Sequence, residues 1–91
     1  MNSKQLFIDV REPYEYDSGH VNGAINISPS DLMTGAKQLQ DIPKDTELII
    51  YCKSGSRSNA SIQILKHLGY TNLVNGINKD QVEAKYKTAS D

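Results

Sequence analysis

Leu48-Ile49-Ile50-Tyr51-Cys52-Lys53-Ser54-Gly55-Ser56-Arg57 is the stretch on which the fold turns. Its first five residues are the longest apolar run in the chain and read as a buried strand. The residues from Cys52 to Arg57 are then mostly small or cationic, with Gly55 among them. Beyond this segment Ala60, Ile64, Leu65 and Leu68 recur at helical spacing, and Gly69 supplies a stop signal. A parallel strand running into a Gly/Ser loop and then a helix presents that loop at the carboxyl edge of the sheet, where open α/β folds bind ligands.

Working outward, Leu6 to Val10 is a second short apolar run with β-branched residues, again the pattern of a buried strand. Pro13 suits the first position of a short helix and Gly19 its end. Gly23 to Ile27 is a weaker strand. Ser28-Pro29-Ser30-Asp31 has the form of a helix start, with Ser28 as N-cap, Pro29 at the first helical position and an acid near the positive end of the dipole. Leu32, Ala36 and Leu39 are the expected apolar stripe of that helix. Leu73 and Val74 mark a last strand, and Asn78 to Tyr86 a terminal helix. The alternation predicts one α/β domain over residues 1–91, a mostly parallel central sheet flanked by helices on both faces. Residues 1–5 and 87–91 are expected to fray.

Ninety-one residues leave no room for a cofactor domain beside a catalytic one, and no cofactor is expected. Ten Lys and Arg against eleven Asp and Glu, with the basic residues scattered singly, do not form a nucleic-acid footprint. The longest apolar run is far below the roughly 20 residues of a membrane-crossing helix, so no membrane partner is expected. Met1 to Gln5 contains no extended apolar segment, which makes the cytoplasm the expected compartment. One cysteine excludes an internal disulfide, and one cysteine with two distant histidines, His20 and His67, gives no basis for a metal site.

Cys52 is the residue to which this pattern assigns chemistry. A lone cysteine ending a strand is most often a small buried hydrophobe. Here it opens a loop whose backbone N–H groups can converge on a sulfur or an anion, at the start of a helix that adds partial positive charge. The same field favours thiolate over thiol. Lys53 and Arg57 add full charges at the rim. A cation in a first helical turn opposes the dipole, so Arg57 calls for an anionic partner. His67, late in the helix, reads as a surface residue.

Two stretches together resemble the signatures of the single-domain rhodaneses, the thiosulfate sulfurtransferases. One is Asp9-Val10-Arg11-Glu12 with Glu15-Tyr16, Gly19-His20-Val21 and Gly23 to Ile27; the other is Tyr51 to Ser58. The resemblance implies a rhodanese-like fold in which Cys52 takes a sulfur from an anionic donor such as thiosulfate, becomes a persulfide, and passes the sulfur to a thiophilic acceptor. That acceptor would be cyanide in an assay, or a thiol such as glutathione or a thioredoxin-like protein. It further implies that the backbone of Lys53, Ser54, Gly55, Ser56 and Arg57 cradles the persulfide, that Lys53 and Arg57 attract the donor, and that Asp9 and Arg11 help to hold the site. Asp9 is expected to accept hydrogen bonds from loop amides or to serve as an ordinary cap. His20 belongs to the signature as an architectural residue. Where the family often has a Gly-Gly pair and a tryptophan, this chain has Asn75-Gly76 and no tryptophan.

Two rival readings share parts of this pattern. Cysteine phosphatases and arsenate reductases also use a Cys-to-Arg anion loop, and one phosphatase class resembles the rhodanese fold. Those phosphatases place five residues between cysteine and arginine, whereas Cys52 and Arg57 enclose four, a loop suited to a sulfur atom. A non-catalytic rhodanese-like binding module is the role taken when the cysteine is replaced. Here it is retained.

Overall fold

Along Glu47–Cys52 the side chains alternate between two apolar layers: Leu48, Ile50 and Cys52 enter one cluster, Ile49 and Tyr51 the other. All five are fully or almost fully buried, as in a central strand covered on both faces. This strand, β3, is flanked by β1 (Gln5–Asp9) and β4 (Leu73–Asn78), and β2 (Ile25–Asn26) adds to the far side of β1. All pairings are parallel, in the order β2-β1-β3-β4. The computed structural model describes residues 5–88.

Between the strands run α1 (Pro13–Asp17), α2 (Pro29–Met33) and α3 (Ser56–His67), and α4 (Lys79–Tyr86) follows β4. Leu32 of α2 and Ile62 and Leu65 of α3 close the layer that holds Cys52. Tyr16 of α1 and Val82 and Tyr86 of α4 close the other. Helices therefore cover both faces. Among the described residues no helix is long and apolar enough to cross a membrane.

Most expected boundaries hold for local reasons. Pro13 and Pro29 open their helices, and the Ser28 hydroxyl accepts from the Asp31 amide at 3.4 Å, a cap of the kind that contributes about 1 kcal/mol. Gly69, at φ 103°, ends α3 in the left-handed region, with Tyr70 N–H donating back to Leu65.

Three expectations change. Leu32, Ala36 and Leu39 are all buried, but not on one helix: α2 stops at Met33, Gly35 and Ala36 both take positive φ, and Lys37–Leu39 is a separate 3₁₀ turn. On α3 Leu65 is buried and Ile64 and Leu68 pack against the same layer as expected, but Ser58, Ser61 and Ile62 are buried with them, while Ala60 faces solvent. The two serines are tolerated inside because each hydroxyl is bonded, Ser61 to the Arg57 carbonyl at 2.7 Å and Ser58 within the site described below. Of the ends expected to fray, Gln5 instead opens β1 opposite Glu47, and Lys87 and Thr88 close α4, with Thr88 N–H on the Glu83 carbonyl; residues 1–4 and 89–91 lie outside the described residues.

Candidate active site

β3 carries Cys52 to the carboxyl edge of the sheet, one residue beyond the Asp9–Tyr51 register pair, and the chain turns at once into α3. Gly55 is the N-cap of α3 with φ 97°, a left-handed backbone suited to glycine. That turn folds the loop over the sulfur. Gly55 N–H donates to Cys52 Sγ at 3.1 Å and Ser58 N–H at 3.4 Å, so two of the amides that a helix start leaves without carbonyl partners end on sulfur. Among the described residues the amides of Ser56 and Arg57, between those two, have no acceptor.

Burial pushes the Cys52 thiol up. Hydrogen bonds from the amides of Ser58 and Gly55 oppose this and leave the thiol below its ordinary pKa. The residue is 1% exposed, so reagents approach through the rim of the loop.

Arg57 finds its anion inside the protein. Its Nη1 and Nη2 donate to the two carboxylate oxygens of Glu15 at 2.7 and 3.1 Å. The first turn of α1 aims that carboxylate, since Glu12 N–H also donates to Glu15 Oε1 at 2.9 Å. The guanidinium holds the Glu15 carboxyl down to about 2. Arg57 therefore reaches the rim already neutralised, while Lys53 is exposed and makes no ion pair among the described residues. Ser54 and Ser56 are also exposed.

Asp9 and Arg11 meet each other and not the loop. Asp9 is fully buried; its carboxylate accepts from Arg11 N–H, from the Arg11 guanidinium and, at 2.8 Å, from Tyr51 O–H. Arg11 also reaches the Gly19 carbonyl at 2.7 Å, and Tyr51 accepts from Val21 N–H at 3.0 Å. No loop amide reaches Asp9 among the described residues, because its carboxylate is saturated by donors on its own side of the sheet. The pair braces the edge of the strand next to β3. His20 stacks on Tyr16 with ring centroids 3.7 Å apart, an architectural place as expected, and His67 is exposed.

Ser58 and Asn75 were not among the expected site residues. Ser58 Oγ lies 3.6 Å from Cys52 Sγ and 2.7 Å from Asn75 Oδ1. Asn75 also accepts from Ile77 N–H at 2.9 Å, across the irregularity where β4 slips register against Ile50 and Tyr51. Ile77 has φ 74°, rare for a β-branched residue, and its side chain lies over Gly55. The only sequence signal at this place was the departure from the Gly-Gly pattern at Asn75.

A sequence profile described as the rhodanese-like domain matches residues 1–80. The chain belongs to the rhodanese-like domain family. This rhodanese-like chain is 35% identical over 71 residues to a probable adenylyltransferase/sulfurtransferase MoeZ of Mycobacterium tuberculosis, covering 78% of this chain and 18% of that protein. It is 38% identical over 77 residues to a tRNA uridine(34) hydroxylase of Photorhabdus laumondii, covering 79% and 21%. The chain thus spans about a fifth of the length of these two relatives. Among solved structures, a rhodanese with anions from E. coli superposes with a TM-score of 0.80 at 28% identity, covering 96% of each chain. The rhodanese-related protein of Thermoplasma volcanium does so with a TM-score of 0.73 at 29% identity, covering 96% of this chain and 83% of that one.

Proposed function

We propose that this rhodanese-like domain is a sulfurtransferase that moves a sulfane sulfur from thiosulfate, or a similar small anionic donor, to a thiophilic acceptor through a Cys52 persulfide. The observation that carries the proposal is the sulfur at the start of α3, bonded by the amides of Gly55 and Ser58. Such a cradle stabilises a thiolate before reaction and a persulfide anion after it.

In the first half-reaction the Cys52 thiolate attacks the outer sulfur of thiosulfate. A disulfide-type bond forms from Sγ to that sulfur, the bond between the two thiosulfate sulfurs breaks, and sulfite leaves with the electron pair. In the second, cyanide or an acceptor thiolate attacks the outer sulfur of the persulfide, carries it away as thiocyanate or a new persulfide, and returns the Cys52 thiolate. Charge balances in both steps and no oxidant is consumed. The unbonded amides of Ser56 and Arg57 are the donors on hand for the outer sulfur. Glutathione and the exposed thiol of a thioredoxin-like protein are the acceptors of suitable chemistry. The likeness to a rhodanese with anions from E. coli supports an anionic donor, and the likeness to a probable adenylyltransferase/sulfurtransferase of M. tuberculosis supports the reaction class.

The test is steady-state transfer from thiosulfate to cyanide and, separately, to glutathione, with both substrates varied. Parallel double-reciprocal lines, the pattern of a covalent intermediate, together with complete loss in Cys52→Ser are expected. Turnover that survives Cys52→Ser would overturn the proposal.

A further inference from the structure

Hydrogen-bond valence at Ser58 determines which way its single proton points. Asn75 Oδ1 accepts the backbone N–H of Ile77 at 2.9 Å, and a backbone donor cannot be reversed, so the oxygen of the carboxamide and not its nitrogen faces this junction. The contact of 2.7 Å between Ser58 Oγ and Asn75 Oδ1 therefore needs a proton, and only Ser58 can supply it. The other acceptor in reach of that hydroxyl, the Gly55 carbonyl, is farther at 3.1 Å and already receives Asn75 Nδ2 at 3.4 Å and Asn59 N–H at 2.9 Å. With its proton directed to Asn75, Ser58 presents lone pairs to Cys52 Sγ at 3.6 Å. It can accept from the thiol in this setting, but it cannot donate to the thiolate.

We propose that Asn75 is a positioning residue that turns the Ser58 hydroxyl proton away from Cys52, so that the thiolate is held by loop amides alone until that hydroxyl swings from Asn75 to sulfur. The proposal rests on the reading of Cys52 as the nucleophile, and it adds a residue on a different strand that sets how readily the nucleophile ionises. In the resting state two groups act in opposite senses: the amides of Gly55 and Ser58 favour the thiolate, and the oriented hydroxyl favours the thiol. Moving the proton to sulfur would add a third donor to the thiolate and leave Asn75 Oδ1 with the Ile77 amide only. Sulfur gain and loss at Cys52 then coincide with a two-position hydroxyl.

The charged groups around Cys52 do not produce the same effect. Arg57 of α3 is compensated by Glu15 of α1, Glu12 lies beside that pair, Lys53 is exposed on the loop, and Asp9 of β1 is held by Arg11 and Tyr51. β4, which carries Asn75, has no titratable side chain. None of these groups changes when Asn75 is replaced.

The experiment is the pH dependence of Cys52 alkylation by iodoacetamide, which needs no sulfur donor, so its outcome is separate from whether the protein transfers sulfur. Cys52 is the only thiol, and every modified protein reports on it. Wild type, Asn75→Ala, Ser58→Ala and the double variant are compared, with thermal melts of each, and Asn75→Gly is a second way to remove the carboxamide. Asn75→Ala should lower the alkylation midpoint by about one pH unit, the tenfold change in thiolate-to-thiol ratio expected of one added hydrogen bond to a charged group. In the Ser58→Ala background the same change at Asn75 should move the midpoint by less than about a third of that, because no hydroxyl remains to redirect. Ser58→Ala alone should leave the midpoint within about half a unit of wild type. An unchanged or raised midpoint in Asn75→Ala and Asn75→Gly, an equal shift in the Ser58→Ala background, or a midpoint raised by a full unit in Ser58→Ala alone would each overturn the proposal. The last of these also decides the question if the Asn75 variants do not fold.

Discussion

Glu15→Gln tests the charge at the mouth of the site. Both terminal nitrogens of Arg57 rest on Glu15 oxygens, at 2.7 and 3.1 Å, and the carboxyl is held to about 2, so it is a full negative charge at any pH used for assay. The amide variant keeps an acceptor for Arg57 and removes one negative charge from beside the loop. For a dianionic donor taken at about 6 Å, a unit charge in water contributes about 1.4 kcal/mol. A Debye length of about 8 Å at physiological ionic strength reduces this to about 0.7 kcal/mol. Thiosulfate kcat/KM should therefore rise about threefold in Glu15→Gln at physiological salt and approach tenfold at low salt. Arg57→Ala, which leaves the carboxylate uncompensated, should fall by a similar factor. The pair is partly exposed, 36% for Arg57 and 16% for Glu15, so either change should cost at most about 1 kcal/mol of stability. The assay is sulfur transfer against ionic strength for the three proteins, with thermal melts as folding controls. If Glu15→Gln is no faster than wild type while its melt is unchanged, Glu15 does not screen Arg57 from the donor and the electrostatic reasoning fails.

Acid should weaken the same ion pair. Because the carboxyl is depressed in the folded protein, its stabilisation is complete above the ordinary carboxylate range, near 4.5, and is lost as pH falls toward about 2; melts of wild type should drop more steeply over that window than those of Glu15→Gln, and parallel curves would contradict the assignment. Gly76→Ala should destabilise the fold by about 1–3 kcal/mol in urea titrations, since a Cβ there would lie 2.5 Å from Val82 Cγ2 and 3.0 Å from Ile49 Cγ2 in a packed layer. An unshifted urea midpoint would mean that α4 moves freely off the sheet. Aryl phosphate hydrolysis should be negligible, because the loop encloses four residues between Cys52 and Arg57; phosphate release that vanishes in Cys52→Ser would refute this.

What the sequence makes legible is local. The strand, the Gly55 turn and the start of α3 follow one another without interruption, so the place of Cys52 and the direction of its loop amides can be read from adjacent residues. The helix ends marked by Pro13, Ser28 and Gly69 are equally local. The contacts that were missed join distant segments. Arg57 calls for an anion by its position at a helix start, but that the anion is Glu15, 42 residues away, depends on how α1 packs beside the loop. Asp9 meets Tyr51 over the same separation, which turned an expected loop contact into a brace of the neighbouring strand. On α3 the inward serines defeat a reading by hydropathy, because Ser58 is buried for its bonds to sulfur, Gly55 and Asn75 and not for apolar surface. Asn75 itself sits at a strand irregularity that no periodicity announces.

The most direct measurement is the intact mass of the full chain after incubation with thiosulfate and removal of excess reagent without reductant. The wild-type protein should gain the mass of one sulfur atom and lose it again on addition of cyanide, while Cys52→Ser gains nothing. Wild type that keeps its unmodified mass, although its thiol still reacts with iodoacetamide under the same native conditions, would contradict transfer through a Cys52 persulfide.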